Sequence, residues 1–239
     1  MSLLTLVRHG QASYLEETYD RLSSLGEVQA RKLGDYWAAR GVWFDRVIHG
    51  PAERQRRTGE IVGEEFRRRG CPWPEAAVAS EFNEFDGERV VRTLAPVLAE
   101  RHDHVREMLA ACEAASDTEK RKRAVDRLFH EVARRWVAGE VSAADVESWE
   151  QFMERVRRGV NRAVAELPPD ARAVVFTSAG PTAVTVSLAL RTPPAETLEL
   201  AFRPRNGSWS EFSWNGSRLT LDAFNAVPHL DEPDLLTWR

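Results

Sequence analysis

Residues 3–12, Leu-Leu-Thr-Leu-Val-Arg-His-Gly-Gln-Ala, constrain this chain more than any other stretch. An apolar, β-prone run ends at Val7, Arg8 and His9 follow, and Gly10 breaks the pattern. A short apolar run closed by a turn signal reads as a strand buried on both faces, and such strands belong to parallel sheets covered by helices. In open α/β sheets ligands bind just outside the carboxyl ends of the strands, where Arg8 and His9 would stand.

The rest of the chain supplies the units such a sheet needs. A helix is expected over residues 27–40, with Val28, Leu33, Tyr36 and Trp37 on or near one face and Gly41 as its stop. A strand over 44–49 is broken by Gly50-Pro51, and a helix over 52–69 is closed by Gly70, Pro72 and Pro74. Residues 76–80 read as a short strand, and 89–139 as two or three amphipathic helices without a strand. A helix over 148–167, a β-branched central strand over 173–178 and an apolar helix through Leu190 complete the pattern. The tail offers two strands, 209–214 and 218–224, around Asn215-Gly216, a strong hairpin signal.

The expectation is an α/β fold, a three-layer sandwich. Its central sheet is mostly parallel, with helices on both faces, an α-helical insertion and a C-terminal β-hairpin. Residues 1–239 are read as a single domain whose helical cap or insertion lies at about 89–146, over the rim of the sheet. The hairpin leaves an edge strand on which a second copy could pair to form a homodimer.

Charge and cysteine usage narrow the function classes. A net charge of -4 gives no general attraction to nucleic acid or to an anionic membrane, so any bound anion must be held by local basic residues. The run Lys120-Arg121-Lys122-Arg123 lies among acidic residues without aromatic interleaving and reads as a solvated helix face. Neither a signal-peptide pattern nor a membrane-spanning apolar run is expected. Cys71 and Cys112 lack metal-ligand spacing and read as unpaired thiols of a cytoplasmic protein.

Several segments bring polar groups to one rim. The first carries Arg8, His9 and Gln11; the second, residues 49–58, puts Arg54 in the first turn of a helix, where the helix N-terminus also favours an anion. The third, residues 80–87, holds Glu81, Glu84 and Asp86, with aromatic residues on both sides of Glu84. Together they suit phosphoryl transfer. A neutral imidazole attacks phosphorus, guanidinium groups hold its oxygens, and a carboxylic acid protonates the departing alkoxide. Neighbouring arginines disfavour imidazolium and so keep His9 nucleophilic. This chemistry calls for neither metal nor cofactor, and a small phosphorylated molecule is the expected partner.

These residues resemble the histidine phosphatase, or phosphoglycerate mutase-like, superfamily. Val7-Arg-His-Gly-Gln11 resembles the signature whose histidine is phosphorylated, and Leu22-Ser-x-x-Gly26-x-x-Gln29-Ala30 the entry to the first helix. Gly50-Pro51-x-x-Arg54-x-x-x-Thr58 is similar to the segment with the second phosphate-binding arginine. Phe82-Asn-Glu84-Phe-Asp is similar to the segment with the proton-donating glutamate, which selects Glu84 over Glu81. Phe224-Asn225-x-x-x-His229-Leu230 resembles the tail of the small phosphatases of the group.

The resemblance implies a cytoplasmic, metal-independent phosphomonoesterase with a phosphohistidine at His9, Glu84 as acid, and Arg8, Arg54 and Gln11 around the phosphate. One position departs from the pattern. Where the family has a second histidine after its central strand, this chain has Ala179, and Ser178 or His49 would be the substitute donor. The alternative is a catalytically degenerate protein that binds phosphorylated ligands; a phosphoglycerate mutase-type transferase fits less well. Trp149 and Phe152 are expected in the core, His102, His104 and His130 on solvated helices, and His229 near the core of the tail.

Overall fold

The computed structural model describes residues 1–13, 20–165 and 167–238. The described strands are β1 (Ser2–Arg8), β2 (Arg46–His49), β3 (Ala76–Val78), β4 (Arg172–Thr177), β5 (Trp209–Trp214) and β6 (Leu219–Ala226). The described α-helices are α1 (Ser24–Ala39), α2 (Glu53–Arg68), α3 (Gly87–Ala99), α4 (Asp103–Ala114), α5 (Thr118–Val137), α6 (Trp149–Ala165), α7 (Ala179–Leu190) and α8 (Pro194–Ala201). Helix α8 has no counterpart among the elements expected from the sequence, because a helix this short carries little periodic signal; Pro194 opens it.

One sheet has the order β3-β2-β4-β1-β5-β6. The first four strands run parallel, and the hairpin β5–β6 joins antiparallel to β1. The α/β, mostly parallel architecture is thus as the patterning implies. Alternation along the strands sends Val7, Val47, Val174 and Phe176 to one face, where they pack with Leu33 and Trp37 of α1 and Val62 and Phe66 of α2. Leu4, Leu6, Ala173 and Val175 occupy the alternate positions and are fully buried, and α7 packs on β1 and β6.

The hairpin loop is one residue longer than the expected strand ends, Trp214 and Arg218, would leave. Trp214 pairs with Leu219, so four residues form the loop, closed by the Asn215 side chain, which accepts from the N–H groups of Ser217 and Arg218. Gly216 at φ +94° supplies the conformation that side-chain-bearing residues avoid.

Two compact units make up the chain. The first comprises Met1–Glu84, Arg155–Thr192 and Glu199–Arg239 and contains the sheet. The second comprises Phe85–Glu154 and Pro193–Leu198. Within the second, α5 packs against α3 and α4, and an aromatic cluster forms the core: Phe85 lies 5.2 Å from Trp136 and 5.4 Å from Phe152, ring centre to ring centre. Trp149 and Phe152 are core residues, as expected. Among the described residues no helix is long and apolar enough to cross a membrane.

Candidate active site

The site stands at the carboxyl ends of β1 and β4, within the first unit. Parallel pairing puts Arg8 opposite Thr177, and the chain leaves both strands at the same level, with the His9 N–H donating to the Thr177 carbonyl at 2.9 Å. Helix α2 can lie close over this end because Gly59 has no side chain; a Cβ there would stand 2.8 Å from the Phe176 ring. Its first turn thereby comes to His9.

His9 is 6% exposed, and both ring nitrogens are engaged. Nδ1 lies 2.7 Å from the Gly10 carbonyl, which can only accept, so Nδ1 carries the proton. Nε2 accepts from Nε–H of Arg54 at 3.2 Å, which requires a lone pair on Nε2. The two contacts specify the same neutral tautomer. Burial first, then the charges of Arg54 and Arg8, hold the imidazole well below the ordinary histidine pKa, against the opposing pull of the Gly10 carbonyl.

Asp20, which no sequence motif singled out, completes this side of the site. Its Oδ1 accepts from Nη1 of Arg54 at 2.7 Å and its Oδ2 from the Glu53 N–H at 2.9 Å. The N-cap residue of α2 is Ala52, which has no acceptor, so a carboxylate from another loop satisfies the open N–H groups. An acid just before Leu22-Ser23 was the available signal.

Arg8 directs Nη1 to the Pro204 carbonyl, and its charge reaches His9. Gln11 turns its amide oxygen to the Ser23 hydroxyl at 2.9 Å, which ties the loop after His9 to the start of α1. Thr58 donates to the Arg54 carbonyl at 2.7 Å and accepts from the Gly10 N–H at 3.2 Å, joining α2 to the same loop.

Glu84 reaches the opposite wall. Its Oε2 accepts from the Gly180 N–H at 2.9 Å, at the start of α7, beside Ala179. The other candidate acids have structural partners: Glu81 is 2.9 Å from Arg162, and Asp86 caps α3 through the Arg89 N–H. Arg155 of α6 donates to the Glu81 and Asn83 carbonyls at 3.0 Å and shapes the turn that presents Glu84.

Of the two substitute donors, Ser178 is buried, and its Oγ accepts from Nε2 of Gln55 at 2.8 Å. His49 is also buried and turns Nδ1 to the carbonyl of Gly50 at 2.7 Å. It is not hydrogen-bonded to His9, whose nitrogens are taken by Gly10 and Arg54.

Gln55 was missed altogether. Fully buried, it accepts from the Ala52 N–H and donates to Ser178 Oγ and the Phe82 carbonyl, so it links α2, β4 and the Glu84 segment. Its three arginine neighbours hide it in the sequence. The signal was its register with Thr58, Gly59, Val62 and Phe66 on the buried face of α2.

Comparison with known proteins shows the family and the fold. A family model described as histidine phosphatase superfamily (branch 1) matches residues 4–87 and 75–227. Broad-specificity phosphatase YOR283W of Saccharomyces cerevisiae is 33% identical over 75 residues, 29% of this chain and 33% of that protein; the chain therefore matches about a third of that relative's length. Mycobacterial glucosyl-3-phosphoglycerate phosphatase Rv2419c in complex with inorganic phosphate superposes with a TM-score of 0.63 at 21% identity, covering 95% of this chain and 98% of that one. Bacillus stearothermophilus YhfR superposes with a TM-score of 0.66 at 16% identity, covering 97% and 100%. At these identities the two structures establish a shared fold.

Proposed function

We propose that this chain, which belongs to branch 1 of the histidine phosphatase superfamily, is a phosphomonoesterase that works through a phosphohistidine at His9. The observation that carries the proposal is the tautomer: Nδ1–H is held by the Gly10 carbonyl, and the Nε2 lone pair lies beside a guanidinium in a buried setting.

In the first half-reaction Nε2 attacks phosphorus and the ester P–O bond breaks, the leaving alkoxide taking a proton from Glu84. The phosphorylated ring is cationic, and the Gly10 carbonyl stabilises it by accepting from Nδ1–H. Water then attacks phosphorus with Glu84 as base, the P–N bond breaks and phosphate leaves. Arg8 and Arg54, with Gln11, hold the phosphoryl oxygens, and a guanidinium aimed at developing charge supplies most where water is excluded. The relatives' phosphatase names support the same reaction class, with a small phosphorylated molecule as substrate.

A cytoplasmic setting accords with the free thiols of Cys71 and Cys112, and residues at about 89–146 are read as an insertion in one domain. Ala179 supports a second reading, a protein that binds phosphorylated ligands without turning them over. Acid-labile phosphate trapped on wild-type protein and absent from His9→Ala is the expected result. Hydrolysis of aryl phosphates that persists unchanged in His9→Ala removes the enzymatic proposal, and binding without trapping favours the second reading.

A further inference from the structure

The reaction just described gives Asp20 no part, yet its carboxylate makes the contacts one edge of a phosphoryl group would make. It takes the Arg54 guanidinium at 2.7 Å and the Glu53 N–H at 2.9 Å, with the Arg54 N–H at 3.5 Å from Oδ1. A helix N-terminus and an arginine together are donors suited to any anion, carboxylate or phosphate. We propose that Asp20 is a built-in competitor of the substrate phosphoryl group: in the resting site it occupies the donors of Arg54 and α2, and substrate binding displaces it. The inference rests on the phosphate-site reading above.

The direction of Arg54 is the second observation. With Nη1 turned to Asp20, Nε–H points to Nε2 of His9 at 3.2 Å, on the lone pair that must attack phosphorus. Asp20, Arg54 and His9 form a chain in which the nucleophile is covered. An arriving phosphate that takes Nη1 from Asp20 draws the guanidinium toward itself and uncovers Nε2.

Exposure decides which partner yields. The Arg54 side chain is 13% exposed and that of Asp20 50%, so the carboxylate stands on the solvent side of the pair. It can be hydrated as it leaves, whereas the arginine would have to be withdrawn from a buried position. A wholly structural cap would behave differently: its loss would loosen α2 and weaken anion binding.

Titration calorimetry of inorganic phosphate into wild type and Asp20→Asn at fixed ionic strength separates these roles. The amide keeps one acceptor and removes the competing charge, so phosphate affinity should rise about tenfold or more. KM for an aryl phosphate should fall with it, while kcat changes less. Unchanged or weaker phosphate affinity in Asp20→Asn overturns the inference. Should that variant not fold, wild-type protein crystallised with phosphate provides the test. The Asp20–Arg54 pair must open beyond hydrogen-bond distance, and phosphate seated beside His9 with the pair intact also overturns it. If neither protein binds phosphate, the phosphate-site reading falls too; wild-type binding with no effect of the substitution removes Asp20's role alone.

Discussion

At the scale of single residues, the surroundings of His9 are those that the proposed nucleophile needs. Its two hydrogen bonds fix the tautomer, while burial and the two arginines keep the ring neutral. NMR of ring-labelled histidine in the free protein is therefore expected to show a neutral Nδ1–H imidazole around the ordinary histidine pKa of about 6.5, with protonation well below it. Titration at the ordinary histidine value, or the opposite tautomer, would contradict the proposed nucleophile. Ala179 is the other residue of consequence, because a side chain there would begin at the first turn of α7, next to the Gly180 N–H that holds Glu84. A lost oxyanion donor typically costs about a hundred- to a thousandfold in rate. Ala179→His should accordingly raise kcat for an aryl phosphate; an unaltered kcat would mean that the site already has a replacement donor or does not use that position.

At the scale of elements, the fit between α1 and the loop after His9 rests on two glycines. A Cβ on Gly26 would stand 2.1 Å from the Gln11 carbonyl oxygen, and one on Gly10 would stand 2.4 Å from the Gly26 carbonyl oxygen. Backbone lies on both sides, so the loop itself must shift. Gly26→Ala is expected to cost about 1–3 kcal/mol by overpacking, and to lower kcat more than it raises KM because the displaced segment adjoins His9. Denaturant unfolding and steady-state kinetics check the two parts; a variant with wild-type stability and kcat would show that this contact is slack.

Buried Gln29 reinforces the junction. It accepts from the Gln11 N–H at 2.8 Å and donates to the Leu235 carbonyl at 2.8 Å and to Thr237. The spacing Gly26-x-x-Gln29 is visible in the sequence, but its connection to the far end of the chain is not. The helices themselves were legible because their buried faces repeat with helical period, as α1 and α2 show. The four-residue hairpin loop was not, since Asn215 closes it through side-chain hydrogen bonds that a dipeptide signal does not specify.

At the scale of the whole molecule, acid stability provides a test of the tail's packing. His229 is 5% exposed among Tyr36 and Trp209, with Lys32 and Asp231 nearby, and burial lowers its pKa to about 4. Neither ring nitrogen has a hydrogen-bond partner among the described residues, and the nearby Gly207 backbone only partly offsets the effect of burial. The unfolded chain protonates this histidine near its ordinary value, while the folded chain resists down to about 4. Stability from this group is therefore intact above about pH 6.5 and is lost as pH falls toward the folded-state value, by about 3 kcal/mol in all. Urea midpoints measured across that range should fall more steeply for wild type than for His229→Leu, and parallel curves would count against a neutral buried His229.

The sequence by itself determined the strand that ends in Arg8-His9, the alternation of strands and helices, the helix that offers Arg54, and the acidic segment from which Glu84 comes. Each follows from periodicity or from a residue's chemistry, and both are local properties. Only the tertiary structure decided that Asp20 meets Arg54, that Gln55 joins three segments, and that Glu84 rests on the N–H of Gly180 beside Ala179. Those contacts depend on which strand ends become neighbours in the sheet, and the order β2-β4-β1 brings together hydrogen-bonding groups that lie far apart along the chain.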